Sequence, residues 1–116
     1  MSLLGQVSKR KHTQVAIAKI KEYAATVKKT GNDFADKAFC LARSLELSDS
    51  DELYAVVQAI ISRGGRYTAK LFKGNYYVMS TAASDVDAMR EKRVEELNEQ
   101  GLLQKVTISQ VLDGKI

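Results

Sequence analysis

Apolar residues recur along this chain first at helical and then at strand spacing. From Thr13 to about Thr30, Ala16, Ile20, Tyr23 and Val27 follow at intervals of four, three and four, with Ile17 and Ala24 beside them. That spacing predicts a helix with one apolar stripe. Lys28 and Lys29 fall in its last turn, where cations suit the negative end of the helix dipole, and Gly31 is placed to end it in the left-handed conformation. Asn32 or Asp33 caps a second expected helix running to about Leu45, with Phe34, Ala38, Leu41 and Leu45 as its stripe, widened by Phe39 and Ala42. Cys40, within that run, reads as a small core hydrophobe. Ser48, with Asp51 three residues on, opens a third helix in which Leu53, Val56, Val57, Ile60 and Ile61 share one face until Gly64 and Gly65 stop it.

The period then changes to two. Tyr67, Ala69 and Leu71 alternate with Thr68, Lys70 and Phe72, and after Lys73-Gly74-Asn75 comes Tyr76-Tyr77-Val78-Met79. Two strand-favouring runs around a short Gly-Asn turn predict a β-hairpin. Ser84 caps a last, mostly charged helix to about Gln100, ended by Gly101. Val106-Thr107-Ile108 alternates again, and the tail Leu102–Leu112 is expected either to add a third short strand or to dock as an extended segment. The expected fold is α+β: about four helices with a hairpin, in a single domain over 13–116 preceded by a basic arm over 1–12.

The chain has 116 residues, a size that fits one domain of roughly 100–200. One cysteine excludes a disulfide framework, and no run approaches the roughly 20 apolar residues that span a bilayer. The N-terminus does not read as a signal peptide, so a cytoplasmic protein is expected. The net charge of +4 conceals segregation: residues 1–30 carry +6, 31–64 carry −3, 65–82 carry +3 and 83–116 carry −2. Basic blocks of one sign attract phosphate.

Catalytic chemistry finds little support. His12 lies beside Lys11 in the arm with no carboxylate near it in sequence, and Cys40 has no activating partner there. Asp49, Asp51 and Glu52 lack calcium-loop spacing and suit a helix start. No phosphate-cradling glycine motif occurs. The expectation is a protein that is not an enzyme, with no metal and no cofactor.

The order helix, helix, capped helix, hairpin resembles a winged helix-turn-helix domain over roughly residues 33–80. Phe39, Leu41, Ala42, Leu45 and Leu47 stand where that unit is apolar, and Lys70, Lys73 and Asn75 stand near the tip of the wing, Arg66–Ser80. The resemblance implies that Ser48–Ser62 is a recognition helix and that the wing touches phosphate or the minor groove. Asp49, Asp51 and Glu52 at the start of that helix, and Glu46 in the turn, depart from this pattern because acids repel phosphate. Nucleic-acid contact is therefore assigned to Lys9, Arg10, Lys11, Lys19, Lys28, Lys29, Arg66, Lys70 and Lys73, with DNA preferred to RNA. The alternative is a protein-interaction module, an adaptor, inhibitor or assembly subunit, using the acidic middle and the charged helix after Ser84. The acidic middle and basic ends are self-complementary and would also favour a homodimer.

Overall fold

All four strands are parallel and form one sheet in the order β2-β1-β3-β4. The computed structural model describes the backbone of residues 2–81 and 84–116, and side chains from residue 11 onward. Along the chain come α1 (Ser2–Thr26), β1 (Ala38–Leu41), α2 (Arg43–Glu46), α3 (Asp51–Ser62) and β2 (Arg66–Tyr67). They are followed by β3 (Tyr76–Val78), α4 (Ala88–Glu99), β4 (Gln104–Val106) and α5 (Ile108–Asp113). Single 3-10 turns lie at Leu71–Lys73 and Asp85–Asp87. The domain is mixed α/β.

From β1 the chain steps outward to β2 through α3. It then returns past β1 to β3 and steps the other way to β4 through α4. Right-handed crossovers in opposite directions put α3 and α4 on opposite faces of the sheet. On one face Phe39 meets Phe34 and stacks on Tyr76, with centroids 5.1 and 5.2 Å apart, and α3 packs against α1 and α5. On the other face Arg90 of α4 reaches the Cys40 thiol at 3.2 Å. The core runs through Ile20, Phe34, Phe39, Leu41, Val57, Ile60, Val78, Val94, Val106 and Val111, all buried.

Several expectations are corrected. The second expected helix is a turn followed by β1. Ala38, Phe39, Cys40 and Leu41 are all buried, because β1 is an inner strand covered on both faces. Such a strand is continuously apolar, and a continuous run also satisfies helical spacing. The hairpin is absent: β2 and β3 are parallel, with β1 between them, so Arg66–Ser80 is not a wing. The connection between them instead crosses the Cys40 face, where a Cβ on Gly74 would stand 3.4 Å from that of Cys40. The segment expected to be an arm continues α1 from Ser2, and α1 ends at Thr26, before Gly31. Beyond it, the amides of Thr30 and Gly31 donate to the Ser62 carbonyl and that of Phe34 to Arg63, tying the linker to the end of α3.

Other features follow the sequence closely. The third helix forms as α3, capped by Ser50 rather than Ser48: the Ser50 hydroxyl accepts from the Leu53 amide at 3.2 Å. Gly64 ends it at φ 88°, and a Cβ on Gly65 would come within 3.0 Å of the Ile60 carbonyl oxygen. A strand near the C-terminus forms as β4, at the edge beside β3, but of the expected Val106–Ile108 only Val106 belongs to it, and Thr107 and Ile108 are the cap and first residue of α5. After it α5, a fifth helix, starts on a capping box in which Thr107 and Gln110 bond each other's backbone amides. Among the described residues no helix is long and apolar enough to cross a membrane.

Candidate functional site

In open parallel sheets, ligands bind outside the carboxyl ends of the strands where the strand order reverses. Here that point lies between β1 and β3, and a groove of about 510 Å³ opens there. One wall is the α1 stretch His12 to Lys19; the other is the segment after β1, with Leu47, Asp49 and Tyr54, and Val86 of the 3-10 turn. Val15, Leu47 and Val86 keep 51%, 37% and 48% of their surface exposed, so the groove carries apolar side chains that the described residues cover only in part. Val15 lies off the stripe that α1 turns inward, where Ile20 is buried and Tyr23 and Ala24 are half-buried.

One lining residue, Glu46, belongs to a buried polar cluster that extends behind the groove. Glu46 of α2 accepts from Arg43 at 2.9 Å and faces Arg90 at 3.4 Å through one carboxylate oxygen, and it accepts from the Tyr67 hydroxyl through the other. Arg90 also donates to the carbonyls of Leu41 at 2.7 Å and Ala69 at 3.2 Å, joining α4 to the end of β1 and to the β2–β3 connection. Ala42 supplies no side-chain cap to α2. Asp87 does so across the fold, accepting from the Ser44 amide at 2.8 Å and the Ser44 hydroxyl at 2.5 Å. Burial raises the pKa of Glu46 above the ordinary glutamate range, against the opposing pull of the Tyr67 hydrogen bond and of Arg90 and Arg43. Burial, then Glu46, raises that of Tyr67. Every charged member has a partner, so the cluster holds Glu46, at the groove's wall, in one geometry.

At the mouth a second carboxylate has another environment. Asp49 accepts from the Tyr54 hydroxyl at 2.6 Å and pairs with Lys19 at 3.5 Å, and the Tyr54 hydrogen bond, followed by Lys19, lowers its pKa. Its φ of 46° is left-handed, a conformation that aspartate tolerates better than most residues. Cys40 is in the core, its thiol pushed up to about 11 by burial, a poor nucleophile. Among the described residues no group of three or more His, Cys, Asp or Glu side chains is placed to hold a metal.

The residues assigned to nucleic acid lie on three parts of the chain: α1, the linker after it, and the stretch from β2 to the β2–β3 connection. The side chains of Lys9 and Arg10 lie outside the described residues. Lys11 and Lys19 are exposed on the half of α1 that borders the groove, and Lys19 is engaged by Asp49. Lys28 and Lys29 are exposed beyond the other end of α1, in the linker held to the end of α3. Arg66 opens β2 at the sheet edge, and Lys70 and Lys73 stand in the connection over the Cys40 face. The groove residues Val15, Leu47, Tyr54 and Val86 were not singled out from sequence as a site. Only tertiary placement unites them, although Val15 and Leu47 already fall outside any apolar stripe. Comparison with known proteins finds no matching family model, no matching curated protein and no matching solved structure.

Proposed function

We propose that this protein is a non-catalytic recognition domain that seats a segment of a protein partner in the groove between α1 and the carboxyl end of the sheet. The observation that carries this reading is the groove: about 510 Å³, with Val15, Leu47 and Val86 part-exposed in it beside the buried, fully paired Glu46. Covering a large aliphatic side chain completely is worth about 1.5–3 kcal/mol, so three half-covered ones supply a moderate apolar anchor. The polar rim of His12, Lys19 and Asp49 supplies orientation.

The test is selection of peptides from a displayed library against the full chain, followed by backbone amide shift mapping. Selected peptides carry an apolar anchor and shift Val15, Leu47 and Val86, and Leu47→Asp weakens them by tenfold or more, about 1.4 kcal/mol. Peptides that map elsewhere, or that ignore Leu47→Asp, overturn the reading.

A second reading, a regulatory or accessory factor that binds DNA through phosphate contacts, draws support from one observation. Lys28, Lys29, Arg66, Lys70 and Lys73 are exposed and stand in no ion pair among the described residues. It predicts salt-sensitive anisotropy of labelled duplex, lost on replacing Lys70 and Lys73 by glutamate.

A further inference from the structure

The second concave surface lies at the outer edge of β2. Arg66 and Thr68 turn their amides inward, donating to the carbonyls of Lys37 and Phe39 at 2.9 Å each. In a parallel ladder the residue between two such donors turns its own N–H and C=O the other way. Tyr67 therefore presents both groups along the outer edge, where, among the described residues, the sheet has no further strand. Beside that edge runs a cleft of about 350 Å³ between α1 and β2, floored by Ala24, Ala25 and Ile61. Lys21 and Arg66 border it, both exposed, and neither stands in an ion pair among the described residues. Residues 65–82 contain no acid at all.

We propose that this edge is a docking site for an extended, acidic segment of a partner protein, which joins the sheet as a fifth strand beside β2. Each part of the surface selects that occupant. The outward N–H and C=O of Tyr67 are matched by the backbone of an extended chain, which is how peptides add to open sheet edges. A strand sends alternate side chains to opposite faces, so one set rests on the small apolar floor of Ala24, Ala25 and Ile61. Acids in the other set meet Lys21 and Arg66. The shortness of β2, two residues, limits promiscuous edge-to-edge pairing and leaves the flanking charges to choose the partner. This surface shares no lining residue with the groove at the carboxyl end, and the proposal does not rest on that groove.

The experiment uses the full chain, isotope-labelled, with a synthetic eight-residue peptide alternating valine and glutamate; a valine–lysine peptide is the control. With the acidic peptide near saturation, the Tyr67 amide shifts and its hydrogen exchange slows by about tenfold or more. Lys21→Glu combined with Arg66→Glu weakens binding by about tenfold, and its own spectrum reports that the fold is intact. Leu47→Asp, in the other groove, leaves this binding unchanged. No binding, an unprotected Tyr67 amide, equal binding of the lysine peptide, or sensitivity to Leu47→Asp each overturns the proposal.

Discussion

Glu46 and Asp49 are three residues apart, and both line the same groove. Each accepts a hydrogen bond from a tyrosine hydroxyl, Tyr67 and Tyr54, and each faces a cation: Arg43 and Arg90 in one case, Lys19 in the other. Yet the Glu46 pKa is raised and the Asp49 pKa is lowered. The difference is water. Glu46 has given up its hydration, and its partners recover only part of that cost, whereas Asp49 keeps its hydration and gains its partners on top. The same three groups therefore make a rigid buried cluster in one place and an adjustable rim in the other.

The largest effect is expected where the partners are buried. Glu46→Ala removes the carboxylate that Arg43, Arg90 and Tyr67 share, leaving Arg90 only neutral acceptors, and removing one member of a buried ion pair costs about 3–5 kcal/mol. Urea unfolding at pH 7 measures it; a loss no larger than that of an exposed pair would break the comparison.

Tyr67→Phe comes next. It removes one hydrogen bond to a charged group, worth about 1.5–3 kcal/mol. It also removes an interaction that holds the Glu46 pKa down, so that value climbs further. A raised folded-state value means that the Glu46 contribution is full below the ordinary glutamate value of about 4.3 and is lost as pH rises through the folded value. Unfolding free energy measured from pH 4 upward in wild type and Tyr67→Phe should show this loss, centred at higher pH in the variant. A loss centred at the same pH in both would mean that the hydroxyl does not act on Glu46.

Asp49→Asn is the smallest. Asparagine keeps the left-handed backbone comfortable but loses the charge facing Lys19. Because the Asp49 pKa is lowered, its contribution is present above the ordinary aspartate value of about 3.9 and is lost as pH falls through the folded value. Urea midpoints of wild type and Asp49→Asn should differ slightly at pH 7 and converge in acid, opposite in sign to Glu46.

Legibility in the sequence followed the range of the interactions. The helix with Leu53, Val56, Val57 and Ile60 and the charged helix ended by Gly101 were readable, because a stripe or a glycine stop lies within a few residues of what it specifies, whereas of the alternation Val106-Thr107-Ile108 only Val106 is strand. The T-x-x-Q box that starts α5 was equally local and went unread. The candidate site was not legible. Glu46 is held by Arg90 and Ser44 by Asp87, partners 44 and 43 residues away, and no local pattern announces such pairs.

By itself, then, the sequence determined the size and single cysteine of the chain, its segregated charge, and those elements whose apolar period and caps are local. Tertiary structure alone decided that Ala38–Leu41 is an inner strand and not a helix, since burial on both faces erases the alternation that marks a strand. It alone decided that β2 and β3 are parallel, because strand direction depends on how the chain crosses the sheet between them and not on the residues of either strand. The groove follows from that crossing, for the strand order reverses only once the four strands are assembled.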